Sequence, residues 1–188
     1  MDIPACEIVV AGGGIGGLAA AWALARQGAQ VQVLEQAPAL AEVGAGIQIG
    51  PNVTRILQAW GLGEGLRRVA CFPRALVARD ARTGRTLGEL PLGERAERLY
   101  GAPYACIHRA DLHQLLLQAV MQCGVPLGLN QRLAEVQVAE GRFACAPAQG
   151  WSVSRPCWSG RTACGAAPVW RWGCRRRRVF VATWPTGA

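Results

Sequence analysis

The sequence predicts an α/β chain that opens on a parallel β-α-β unit. Three observations carry that expectation. An apolar run, Glu7-Ile-Val-Val-Ala11, passes straight into Gly12-Gly-Gly-Ile-Gly-Gly17, and a helical run, Leu18–Gln27, follows. A second apolar strand, Val31-Gln-Val-Leu, ends on the acid Glu35. Strand, glycine turn, helix, strand and acid, in that order, form the fingerprint of a dinucleotide site.

Each residue type in that opening has a physical reason. Gly12 lets the chain turn tightly off the first strand. Gly14 has no Cβ, so backbone can approach a pyrophosphate. Gly17 lets helix and sheet pack at short range. A pyrophosphate would sit at the helix N-terminus, where free N–H groups and the helix dipole favour negative charge. Glu35 stands 18 residues beyond Gly17, placed to accept hydrogen bonds from an adenosine ribose. Its charge favours a free 2′-hydroxyl over a 2′-phosphate. A glycine-rich turn in an unrelated α/β protein is the competing explanation of the same residues.

A second glycine-rich block, Glu42-Val-Gly-Ala-Gly-Ile-Gln-Ile-Gly-Pro-Asn52, leads into a predicted helix over Val53–Trp60, stopped by Gly61. Ala75–Asp80 and Thr86–Leu90 flank Arg82-Thr-Gly84 and predict a hairpin. Asp111 with Gln114 predicts a capping box at the start of a helix running to about Gln122. Leu112, Leu115, Leu116 and Ala119 give that helix one apolar face. Pro126–Leu129 and the alternating Leu133–Ala139 read as strands. From Gly150 onward neither period 2 nor period 3.6 is present, and nothing specifies a packed element.

The chain has 188 residues and 51% apolar residues, enough for one core. No apolar run reaches the length of a membrane span, and the N-terminus lacks a basic signal region. The expected location is the cytoplasm. The net charge of +8 is local. Residues 1–150 hold 13 Arg and 12 acids, whereas residues 151–188 hold seven Arg, no acid and five of the seven Trp. Eight cysteines are scattered without a Cys-x-x-Cys pair, so no metal site is expected. They read as reduced thiols, several of them in the core. His108 and His113 read as structural.

The chain resembles the single-component FAD-dependent aromatic hydroxylases, the class that includes salicylate and 3-hydroxybenzoate hydroxylases. Four blocks carry the likeness. They are Ala11–Gly17, Glu42–Asn52, Pro91-Leu-Gly93 with Tyr100-Gly101, and Ile107-His-Arg-Ala-Asp-Leu-His113. The second and fourth are more specific than the glycine fingerprint. The resemblance implies a Rossmann-like FAD-binding domain, with Gly12, Gly14 and Gly17 facing the pyrophosphate. It implies Glu35, with the adjoining Gln36, at the adenosine ribose, and Arg109 beside the diphosphate. It also implies that loop 44–50, with Gln48, runs toward the flavin. Gln48 stands where the 6-hydroxynicotinate branch carries a histidine base, and an amide cannot take that proton. No catalytic side chain is assigned. NADH or NADPH would reduce FAD, and the reduced flavin would capture O2 as a C4a-hydroperoxide that hydroxylates a small aromatic substrate. The longer protein would be a homodimer.

The chain also departs from that family. Family members are about twice as long and continue, after the Leu133–Ala139 strand, with Leu-Val-Gly-Ala-Asp-Gly-x-x-Ser. Shifting the reading frame recovers this block. Codons built from the third base of one residue and the first two of the next, over Pro156–Ala166, permit Leu-Leu-Val-Gly-Ala-Asp-Gly-Val-Trp-Ser. The same frame over Val179–Gly187 permits a family-like Gly-Tyr-Val-Ala-Tyr-Arg. The expectation is therefore an incomplete FAD-binding domain over 1–148 and an out-of-frame tail over 149–188, with the slip between Glu140 and Gln149. Such a fragment would not hydroxylate alone. Three alternatives stay open. They are an NAD-dependent dehydrogenase, a flavoprotein reductase, and a nucleic-acid module using Arg175–Arg178 with Trp170 and Trp172, whose composition the frame argument already explains.

Overall fold

Parallel pairing organises the first part of the chain. The computed structural model describes residues 7–40, 44–139, 142–147 and 180–181. The chain divides into two units, Met1–Glu42 with Leu116–Ala188, and Val43–Leu115.

In the first unit, β1 (Glu7–Ala11) pairs in parallel with β2 (Gln30–Leu34), in register from Glu7 opposite Gln30 to Ala11 opposite Leu34. The crossover is α1 (Ile15–Ala25), which packs on both strands. Ile8, Val9, Val10 and Ala11 are all buried, as expected of an interior strand covered on both faces. Helix α1 is rich in Ala and Leu, strong helix formers. It ends at Ala25, and the turn that follows runs through Gly28, whose φ of +82° is costly for other residues. Later in the chain come β7 (Leu127–Gly128), β8 (Leu133–Ala139), β9 (Arg142–Pro147) and β10 (Phe180–Val181). The main sheet has the order β10-β1-β2-β7, all parallel. Strands β8 and β9 form a separate antiparallel pair.

The second unit holds β3 (Gly46–Ile49), α2 (Pro51–Ala59), α3 (Gly63–Val69), β4 (Ala75–Arg79), β5 (Thr86–Pro91), α4 (Gly93–Tyr100) and β6 (Ala105–His108). Helix α5 (Arg109–Gln122) begins there. Strand β3 pairs antiparallel with β6, and β4 with β5. Pro51 opens α2 at a position whose N–H needs no partner. Thr54 is fully buried, and its hydroxyl donates to the Pro103 carbonyl at 2.6 Å.

Among the described residues, β1, β2, β4, β5, β7 and β8 follow the sequence expectation, whereas β6 and β9 were not expected, and further corrections apply. Helix α5 begins at Arg109, not at Asp111. The His108 Nδ1 accepts the Ala110 N–H at 3.3 Å, so Asp111 lies exposed in the first turn rather than capping it. Loop 44–50 contains a strand, because Gly46–Ile49 find a full antiparallel partner in β6. Helices α3 and α4 are too short to show a clear period in the sequence. Of the cysteines, Cys71 and Cys123 are exposed and Cys106 is half-buried, and the burial of the other five lies outside the described residues. In the tail, Phe180–Val181 does form a strand, pairing Val10 with Phe180 and Ala11 with Val181. Apolar β-formers there meet the otherwise unpaired edge of β1. The remaining tail, including Arg175–Arg178, and the expected boundary near residue 149 lie outside the described residues.

Candidate functional site: a glycine turn closed by an acid

Backbone geometry in the glycine turn builds the first part of the site. Gly12 adopts φ +105°, a region that side chains rarely tolerate, and its N–H donates to the Leu34 carbonyl at 2.7 Å. The turn is thereby tied to the end of β2. Gly14 is the N-cap of α1 in extended conformation. No side chain caps this terminus, and no acid stands in the first helical turn. The terminus therefore keeps its positive character and is suited to an anion. A Cβ on Gly17 would lie 1.9 Å from the Gly12 carbonyl oxygen and 3.5 Å from Val10 Cγ1. The turn's own carbonyl, more than the sheet, is what demands glycine there.

Glu35 follows β2 directly, at the same end of the parallel sheet. Its Oε2 accepts the Gly13 N–H at 2.6 Å and its Oε1 accepts the Ala37 N–H at 2.8 Å. Each carboxylate oxygen retains a further lone pair, the capacity needed to receive two ribose hydroxyls. Sequence reasoning had passed over Gly13. A Cβ there would lie 2.7 Å from Leu40 Cδ2 and 3.3 Å from Glu35 Cβ, so the residue is both donor and spacer. Its position between Gly12 and Gly14 was the available signal. Gln36 is exposed. The structure thus brings Gly12, Gly14, Gly17 and Glu35 together within one unit.

Arg109 and Gln48 belong to the other unit. Arg109 is half-buried at the junction of β6 and α5, and its N–H donates to the Ala45 carbonyl at 3.3 Å. A Cβ on Gly44 would lie 3.0 Å from Arg109 Cδ and 3.1 Å from its Cβ. Gly44 is therefore the floor on which the arginine stem lies, a role the glycine-rich block hinted at without specifying. Gln48 lies in β3 opposite Cys106, and its Oε1 accepts the Tyr104 hydroxyl at 2.6 Å. Tyr104 was not singled out by sequence, since its partner lies 56 residues away. His113 is buried, 3% exposed. Among the described residues, no three His, Cys, Asp or Glu stand together as a metal site, and no helix is long and apolar enough to cross a membrane.

Parallel β1-α1-β2, an uncapped helix terminus behind three glycines, and an acid at the end of β2 define a Rossmann-like dinucleotide-binding fold. Residues 10–45 match the family model of the NAD(P)-binding Rossmann-like domain. The chain is 45% identical over 141 residues to 3-hydroxybenzoate 6-hydroxylase of Polaromonas naphthalenivorans, covering 74% of this chain and 34% of that protein. It is 43% identical over 114 residues to 6-hydroxynicotinate 3-monooxygenase of Pseudomonas fluorescens, covering 61% and 30%. Klebsiella pneumoniae HpxO, solved with FAD and uric acid, superposes with a TM-score of 0.68 at 25% identity, covering 81% of this chain and 38% of that one. CtdE, solved with FAD, shares the fold with a TM-score of 0.65 at 20% identity, covering 81% and 37%. The chain spans about a third of the length of the curated relatives it matches. Over that matched third it is similar to aromatic-ring hydroxylases and to a hydroxylase-like fold solved with FAD.

Proposed function

We propose that this chain is the FAD-binding N-terminal part of a monooxygenase that hydroxylates a small aromatic acid with O2, using NADH or NADPH as electron donor. The observation that supports this reading most directly is the glycine turn held to Glu35 through Gly13. Gly12, Gly14 and Gly17 shape the main-chain cradle for the diphosphate, at the uncapped start of α1. Glu35 orients the adenosine ribose, with Gln36 beside it. Arg109, steadied over Gly44, offers a planar fork suited to diphosphate oxygens. Gln48, fixed by Tyr104, contributes toward the flavin. FAD, when bound, supplies the redox and oxygen chemistry. The chain's own residues bind and orient it, and no side chain here is assigned as acid or base.

The same reading takes residues 1–148 as the unfinished FAD domain and 149–188 as an out-of-frame tail. It places the longer protein in the cytoplasm as a homodimer. The test has two arms. The 188-residue chain is titrated with FAD and, separately, with NAD, following flavin fluorescence and tryptophan quenching. FAD binding weakened by Glu35→Gln supports the proposal. Binding of NAD with indifference to FAD would transfer the site to a dehydrogenase, the reading that the NAD(P)-binding family match over residues 10–45 favours.

A further inference from the structure

Cys71 and Cys106 lie 35 positions apart in sequence yet face each other directly. The Cys71 N–H donates to the Cys106 carbonyl at 2.8 Å, and the Cys106 N–H donates back to the Cys71 carbonyl at 2.8 Å. This is a hydrogen-bonded antiparallel pair. Such pairs hold their Cα atoms about 5.5 Å apart and project both side chains to the same face. Disulfides span Cα separations of about 4.4–6.8 Å. Both thiols are free, Cys71 exposed and Cys106 half-buried, so a small reagent can reach them.

Opposed Cβ atoms lie about 4.5–5.5 Å apart, at the wide end in a hydrogen-bonded pair such as this, whereas a disulfide needs about 3.5–4.5 Å. Closure therefore asks for a small local approach. The fold provides for it. Cys71 belongs to no strand and meets β6 through a single isolated bridge, just past the end of α3 and before Pro73. A lone bridge can shift without disrupting a ladder, as a residue inside a longer strand pair cannot. Cys123, in the other unit, has no such pairing among the described residues.

We propose that Cys71 and Cys106 form a redox-sensitive modification site that closes as a reversible intramolecular disulfide on exposure to a low-molecular-weight disulfide. The more exposed Cys71 thiolate attacks one sulfur of the reagent, forming a mixed disulfide and expelling one thiolate. The Cys106 thiolate then attacks the Cys71 sulfur and expels the second. Two protein thiols are oxidised and one reagent disulfide is reduced to two thiols. Gln48 flanks Cys106 across β3 and Tyr104 lies two residues before it, so the closed pair would lock loop 71–74 beside that hydrogen bond.

The test uses the full 188-residue chain with oxidised glutathione, quenched by alkylation and digested with trypsin without reduction. The expected product joins Val69–Arg74 to Leu99–Arg109, two hydrogens lighter than the sum, and disappears on adding dithiothreitol. It should exceed every other cysteine pair by at least tenfold, and lose that preference in urea. Cys71→Ser should leave Cys106 glutathionylated or free. Separate glutathionylation of the two cysteines without the cross-link overturns the proposal. So does a cross-link pattern unchanged by urea, or preferential pairing of either cysteine with Cys123.

Discussion

Gly17 and Glu35 are the residues on which the site turns, and for different reasons. A methyl group on Gly17 would fall inside the van der Waals sphere of the Gly12 carbonyl oxygen, 1.9 Å away. The clash is with backbone, which cannot rotate aside. Gly17→Ala should therefore destabilise the turn by about 2–3 kcal/mol, in the range of overpacked sites, and lower the thermal midpoint followed by circular dichroism. Glu35→Gln is isosteric but removes the charge and turns one of two accepting oxygens into a donor. It removes a charge-assisted acceptor of the Gly13 N–H and, in the proposed FAD complex, of the ribose, interactions worth about 1.5–3 kcal/mol. The expected result is FAD binding weaker by about ten- to a hundredfold, and an unchanged fluorescence titration would remove Glu35 from the site. At Gly44 the contact is softer, 3.0 Å from a flexible arginine stem. Gly44→Val should displace Arg109 and weaken flavin binding in the same titration, with secondary structure intact by circular dichroism.

Individual elements differ in how firmly they are held. The β4–β5 hairpin is exposed along nearly its whole length, with Leu76, Leu87 and Leu90 more than half open to solvent. Two strands without a covered face are marginal. Its amides should exchange with deuterium ahead of those in β1 and β2, as read by peptide-level mass spectrometry. What holds the hairpin is its turn. The Asp80 carboxylate accepts the Thr83 hydroxyl and N–H, both at 2.7 Å, and the Arg82 N–H at 3.1 Å. The Thr83 hydroxyl foremost, then the backbone N–H groups, hold the Asp80 carboxyl below the usual carboxylate range. A carboxyl whose pKa falls on folding stabilises the fold above its unfolded value and ceases to do so as pH drops through the folded value. The turn should thus persist at neutral pH and loosen in acid, below about pH 4, seen as a shift of the Thr83 amide resonance. Thr54 anchors α2 in a contrasting, dry environment. Thr54→Val would strand the Pro103 carbonyl at a cost of about 1–3 kcal/mol, measured by urea unfolding.

At the scale of the whole chain, the parallel core was legible because its signals are local. Apolar strands, a glycine turn and a terminal acid lie within 30 consecutive residues. The 75–91 hairpin was equally plain, since the Arg82-Thr-Gly84 turn announces itself. Partners distant in sequence were not readable. Nothing in the residues alone says that Tyr104 reaches Gln48, that Gly44 underlies Arg109, or that Cys71 meets Cys106, because the first two depend on how the 44–49 segment meets β6 and its neighbours, and the third on how the segment after α3 meets β6. The start of α5 was misplaced for a related reason: Asp111 with Gln114 has the right spacing, but His108 offers its ring nitrogen three residues sooner. The frame proposal belongs to this scale too. Resequencing across codons 140–150 and restoring the frame should give an open chain about twice as long, consistent with relatives of which this one covers about a third. That product should purify yellow; a stop codon soon after the repair would defeat the idea.

The hydrogen bond from Gly13 to Glu35 has a kinetic consequence. Because the loop is already fastened in the shape that would receive a diphosphate, capture should entail little loss of chain freedom. Association rates measured by stopped flow should then rise linearly with ligand concentration, without the plateau that marks a slow rearrangement. Severing that tether by Glu35→Ala should introduce such a plateau.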